Sequence, residues 1–260
     1  MNDDDLVANL QQHYGSAARR VARGGVAVTG AGTGATDCCG PASDCEGDHF
    51  GAGRYDPAEL AGLPSEVAAG SIGCANPVAL VDLQPGQDVL DLGSGGGIDV
   101  LLSARRVGPT GRAYGLDMNA DMLALARDNQ RRAGLANAEF LEGRIEQVPL
   151  PDRSVDVVMS NCVINLSADK DAVFAEALRV LRPGGRLAVA DVVAGREPDP
   201  ALRADPVAWA TCTAGAITRD DYRRRLAAVG FVEVDIADSH EVGDGFWSVL
   251  VRARRPRASR

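Results

Sequence analysis

Val89-Leu-Asp-Leu-Gly-Ser-Gly-Gly-Gly97 decides the fold. The run Val89 to Leu92, which carries the acid Asp91, reads as a buried strand, and Ile98 to Arg106 as a helix. Gly93, Gly95, Gly96 and Gly97 turn the chain between them. Glycine reaches positive φ and lets a ligand lie against bare backbone. The start of the next helix points unpaired N–H groups and a partial positive charge at that ligand. Strand, glycine turn and helix together make a nucleotide cradle.

Outward from this unit the pattern alternates. Strands are expected at 88–92, 112–116, 138–141, 155–160, 186–192, 231–237 and 246–252, and helices at 98–106, 120–133, 170–181, 205–216 and 219–229. Such alternation implies an α/β fold, a mostly parallel seven-stranded sheet with helices on both faces. The short link before the final strand makes that strand antiparallel. Upstream, residues 6–23 suit a helix, with Leu6, Val7 and Leu10 at helical spacing. Residues 24–53 are glycine-rich, poor in large apolar groups, and hold Cys38, Cys39 and Cys45. They read as a loop or arm. Residues 57–69 read as a short helix or two turns, with Pro64 in a first turn. Three parts follow: residues 1–70 as N-terminal helix and arm, 71–195 as Rossmann-like core, and 196–260 as an acceptor-binding segment that completes the sheet.

At 260 residues the chain can bury a large core. The net charge of −9, without a basic patch, argues against nucleic acid or anionic membrane as partner. No apolar run approaches the ~20 residues of a membrane span. Met1-Asn-Asp-Asp-Asp5 is acidic where a signal peptide needs positive charge. The expected compartment is the cytoplasm, where a structural disulfide framework is not expected. The six cysteines are then inert buried thiols, metalloid ligands or redox-active groups.

The glycines depart from the Gly-x-Gly-x-x-Gly of nicotinamide and flavin sites, whose third glycine would fall near Asp99. With Asp91 inside the strand end, the turn favours S-adenosylmethionine (SAM). Asp91 would meet the cationic methionine end, and the backbone of Gly93, Ser94 and Gly95 would lie against it. Asp117 ends the second strand about 20 residues on, where an acid accepts both ribose hydroxyls. The alternative is a helix cap at Asp117 or Asn119. Met118 would pack on adenine, Ile145 on its face and Glu146 on its edge. Asn161 and Cys162 stand at the tip of the fourth strand, the ligand edge of an open α/β sheet.

Residues 88–192 resemble a class I SAM-dependent methyltransferase. More narrowly, Ser71-Ile-Gly-Cys-Ala-Asn-Pro77, Asp91-Leu-Gly-Ser-Gly-Gly-Gly-Ile-Asp-Val100, Ser160-Asn-Cys-Val-Ile-Asn-Leu166 and Trp209-Ala-Thr-Cys-Thr-Ala-Gly-Ala216 resemble arsenite methyltransferases. The likeness runs from about residue 36 to 237, and departs at Ala75, where the family usually has glycine. It implies that Cys162 and Cys212 hold trivalent arsenic beside the methyl donor. Cys74 is implied as a further thiol ligand that also enters disulfide exchange. The pair Cys38-Cys39 would supply its partner, through either Cys38 or Cys39, and Cys45 has no counterpart.

A thiophilic ion selects thiolates over oxygen ligands. No Cys-x2-Cys pair or histidine pattern suggests zinc, and no metal cofactor is expected. The resemblance implies arsenite or its thiol conjugates as substrate, detoxification as role, and thioredoxin or glutathione as reductant. Trp209, on the expected 205–216 helix, would share a face with Cys212. Two other readings use the same residues: a SAM methyltransferase for a small organic acceptor, and a non-enzymatic thiol or metalloid binder.

Overall fold

The computed structural model describes residues 3–27, 53, 55–243 and 245–258. The expectations for Cys38, Cys39 and Cys45 lie outside the described residues. Helix α1 (Asp3–Ala22) opens with three aspartates and closes with Arg19 and Arg20, which complements its dipole. Three short helices follow, α2 (Pro57–Leu60), α3 (Ser65–Ala69) and α4 (Pro77–Leu80). Then come β1 (Asp88–Leu92), α5 (Ile98–Val107), β2 (Arg112–Asp117), α6 (Ala120–Ala133), β3 (Ala138–Glu142) and β4 (Val155–Asn161). A 3-10 turn at Ile164–Leu166 leads to α7 (Lys170–Val180) and β5 (Leu181–Ala194). The chain closes with α8 (Pro200–Ala204), α9 (Pro206–Ala210), β6 (Ile217–Thr218), α10 (Arg219–Val229), β7 (Val232–Gly243) and β8 (Phe246–Arg254).

The sheet runs β3-β2-β1-β4-β5-β8-β7, with the two-residue β6 added to β5 outside this path. Strands β1 to β5 pair in parallel, and β8 lies antiparallel to both β5 and β7. The expected class holds, with the two-residue β6 as an unforeseen eighth strand. Two apolar layers cover the faces. Leu90 and Leu92 pack with Phe174, Tyr222 and Leu226, while Val89 packs with Leu101, Leu123 and Phe140 on the other side. Side chains alternate along a strand, so Asp91 follows Val89 to the α5 side. Strand order reverses between β1 and β4, and the crevice at their C-terminal ends is where such sheets bind ligands.

The helix expected at 205–216 is corrected. Asp205 accepts from Val207 N at 2.9 Å and Pro206 starts a fresh helix, which ends at Ala210. The Thr211 and Thr213 hydroxyls then take helix carbonyls, bonding Val207 O at 3.2 Å and Ala208 O at 3.1 Å. Gly215 presses so closely on the Asn165 carbonyl that no side chain fits there. Trp209 and Cys212 therefore share no helical face: Cys212 sits in a turn laid on Asn165.

Candidate active site

One cavity of about 270 Å³ opens at the switch point. One side of it is built by the glycine turn. Gly93 adopts φ +73°, and a side chain there would collide with Val163. Asp91 is buried at the strand end, and its Oδ1 makes no hydrogen bond. Burial first, then the charges of Asp99 and Asp117, push its carboxyl well above the usual range. Ser94 Oγ is likewise buried without a partner. Asp117 accepts from Gly95 N and from Asn119 N, both at 2.8 Å. The helix-cap alternative is divided between the two neighbours. Asn119 caps α6, accepting from Asp121 N and Met122 N, and Asp117 remains on the cavity wall.

A second network ties this side to the segment 71–76. Asn161 Oδ1 accepts from Cys74 N at 3.0 Å, and its Nδ2 donates to Ala75 O at 2.7 Å and to Asp99 Oδ2 at 3.1 Å. The Tyr55 hydroxyl donates to Asp99 Oδ1 at 2.9 Å. Burial raises the Asp99 carboxyl to about 6, while the Asn161 and Tyr55 hydrogen bonds hold it from going higher. Gly73 passes so close to the Asn161 amide that any side chain would overlap it. Ala75, where the family usually has glycine, needs no positive φ. The departure is therefore conservative.

A further part of the cavity carries cysteines. Cys162 lies just beyond β4 and Cys212 beyond α9, and both line the cavity. They adopt φ +56° and +63°, left-handed backbone that non-glycine residues rarely take. Strain of this kind gathers at functional sites. Cys212 Sγ donates to Cys162 O at 3.1 Å. Burial and the Asp191 carboxylate push its thiol far above the ordinary range, partly offset by Lys170. Lys170 is buried, donates to Ser167 O at 2.9 Å and stands 5.8 Å from the Trp209 ring. Burial pulls its ammonium down to about 8, and burial lifts Asp191 to about 7.

Cys74 and Cys162 are joined in a disulfide, with Cα atoms 6.1 Å apart. Two of the three cysteines expected as arsenic ligands are therefore not free thiols in this state. In this state only Cys212, among the described cysteines, carries a free thiol. Cys74 is fully buried and does not line the cavity.

A methyltransferase domain family matches residues 83–230. Arsenite methyltransferase of Halobacterium salinarum is 38% identical over 252 residues, covering 87% of this chain and 64% of that protein. Arsenite methyltransferase of Aquipseudomonas alcaligenes is 40% identical over 191 residues, covering 70% and 54%. The crystal structure of an arsenic(III) S-adenosylmethionine methyltransferase from Chlamydomonas reinhardtii superposes with a TM-score of 0.66 at 36% identity, covering 78% of this chain and 74% of that one. The chain belongs to the arsenite methyltransferase family. It spans between about half and two thirds of the length of these curated relatives.

For this arsenite methyltransferase family member, the cavity gathers most of the residues singled out in the sequence. Asp91, Gly93, Ser94, Gly95, Asp117, Met118, Ile145, Glu146, Asn161, Cys162 and Cys212 all line it. Sequence reasoning missed Asp99, Tyr55 and Lys170. Asp99 was visible only as a departure from a glycine pattern, although it lies in the first turn of the cradle helix. It also missed that α1 roofs the cavity with Asp3, Val7, Leu10 and Tyr14. The signal was the apolar stripe of α1, which continues from Leu10 to Tyr14 at helical spacing.

Proposed function

We propose that the protein transfers methyl groups from SAM to trivalent arsenic held by cysteine sulfur, a detoxifying reaction. The observation that carries this reading is that the cavity at the switch point has carboxylates and a glycine turn on one wall and Cys162 and Cys212 on the other. The pocket fits SAM. Asp91 Oδ1, buried and unpartnered, awaits a cation, and Asp117 is presented at the end of β2 where ribose hydroxyls are accepted. Met118 and Ile145 supply apolar surface for a base.

When bound, the cofactor would supply an electrophilic methyl group. The chain's own residues do the rest. Asp91 and the glycine turn fix the donor end, and Cys162 and Cys212 fix the arsenic substrate across the cavity. Orientation of two reactants in a near-attack arrangement is itself a large rate effect. Arsenic(III) bound through sulfur attacks with its lone pair, so no proton leaves the nucleophile and no general base is needed. The α1 roof excludes water.

Two steps prepare the acceptor side. A dithiol or two glutathione molecules reduce Cys74–Cys162 to two thiols and leave as the disulfide. The Cys162 and Cys212 protons each depart with one hydroxide or thiolate displaced from arsenic, as water or thiol. The reduced site then offers Cys162 and Cys212, with Cys74 behind Cys162. Arsenic that has given its lone pair to the methyl group is formally pentavalent, and two thiols return it to the trivalent state by forming a disulfide. Cys74 with Cys39 or Cys38 is proposed to supply them, and thioredoxin or glutathione to reduce that disulfide.

The test is replacement of Cys162 and Cys212 by serine, one at a time, with arsenite, SAM and excess thiol. Both variants should bind S-adenosylhomocysteine normally and form no methylated arsenic. Methylation at the wild-type rate by both would sink the arsenic reading. It would return the protein to a methyltransferase for an organic acceptor.

A further inference from the structure

Helix α1 carries Asp3, Val7, Leu10 and Tyr14 on one stripe above the cavity. It is clamped to the donor side along its length. Arg144 donates to Asp3 at 3.0 Å, Asn119 Nδ2 donates to Gln11 O at 2.8 Å, and Arg19 pairs with Asp121. Tyr14 reaches the other way. Its hydroxyl donates to Ala210 O at 3.0 Å, at the end of α9 and two residues before Cys212. Its ring packs in one apolar cluster with Met118 of the donor wall and with Trp209 and Ala210 of the acceptor segment. The hydroxyl is desolvated, and the neighbouring Cys212 and Asp117 raise its pKa further, so it remains a donor.

We propose that Tyr14 is the positioning residue through which occupancy of the donor pocket is communicated to the Cys212 turn, an inference that rests on the arsenic reading above. A ligand under α1 seats the helix, and the seated helix holds the Ala210 carbonyl through Tyr14. That bond fixes the turn in which Cys212 takes its left-handed backbone. Because such coupling is reciprocal, donor occupancy must tighten arsenic binding and arsenic must tighten donor binding by the same factor.

The experiment measures arsenite binding to the reduced full chain by equilibrium dialysis in excess glutathione, with and without saturating S-adenosylhomocysteine. Wild-type protein should bind arsenite about tenfold more tightly with the cofactor product present, within the usual range of allosteric coupling. Tyr14→Phe removes one oxygen and leaves the ring. Its cofactor affinity should stay within about twofold of wild type while its coupling falls to about twofold or less. Arg19→Ala breaks an exposed ion pair on the same helix and should keep the full coupling. Wild-type coupling in Tyr14→Phe overturns the inference. So does an equal loss in Arg19→Ala, which would trace the effect to helix docking in general. A wild-type protein that methylates arsenite but shows no coupling overturns it too, and leaves the arsenic reading standing. A wild-type protein that binds no arsenite overturns both.

Discussion

The two walls of the cavity are made in different ways. The donor wall comes chiefly from the contiguous stretch Asp91 to Asp117, strand, turn, helix and strand, with its carboxylates presented by backbone that a parallel register holds in place. The acceptor wall carries Cys162 and Cys212, 50 residues apart, and is backed by Cys74, which is bonded to Cys162 from 88 residues upstream. Two of its cysteines sit on left-handed backbone, and two are joined to each other. The donor wall is thus complete in this state, and the acceptor wall is set by redox chemistry. Substitutions on one wall should leave the other working.

The largest effect breaks the acceptor wall alone. Cys212→Ser should lower arsenite methylation at least about 100-fold, the scale of a misplaced reactant. Calorimetry should find its S-adenosylhomocysteine affinity within about twofold of wild type. A parallel loss of cofactor binding would show that the walls are not separable. The converse change is Asp91→Asn. Losing a buried hydrogen bond to a charged group is worth about 1.5–3 kcal/mol, so SAM should bind roughly 10- to 100-fold more weakly. Arsenite binding to the reduced protein, without cofactor, should not change.

A smaller effect sharpens the electrostatics of the donor wall. The folded Asp99 carboxyl titrates at about 6, above its ordinary value of 3.8. The native state therefore holds a proton that the unfolded chain has released. The stability linked to Asp99 is complete below its unfolded value and is lost as pH rises through about 6. Asp99→Asn should flatten the fall in stability of the cofactor-free protein between about pH 4.5 and 6.5. Denaturation curves of wild type and variant that stay parallel over that range would refute this assignment. The smallest effect is Arg19→Ala. The pair with Asp121 is half exposed, and its loss should cost less than about 1 kcal/mol in denaturant titration.

The same contrast explains what was legible in the sequence. β1 and α6 fall where the pattern put them, because their apolar runs and glycine or asparagine ends are local signals. Asp91 and Asp117 were legible for the same reason. The turn around Cys212 was not. An apolar stretch with alanine and tryptophan reads as helix, and Asp205-Pro206, the threonine hydroxyls and the contact of Gly215 with Asn165 override it. The pairing of Cys74 with Cys162 is a tertiary fact that no spacing encodes. Tyr14 and Asp99 looked like ordinary members of a helix because their partners, Ala210 and Asn161, lie 196 and 62 residues away.

The central claim is that the donor and the arsenic acceptor meet in one cavity. Its most direct test is product analysis of the reduced protein incubated with arsenite, SAM and a thiol, with methylated arsenic and S-adenosylhomocysteine quantified together. The account predicts one S-adenosylhomocysteine for each methyl group found on arsenic from wild type, and neither product above background from Cys212→Ser. Normal SAM binding without any methylated arsenic from the wild type would contradict it.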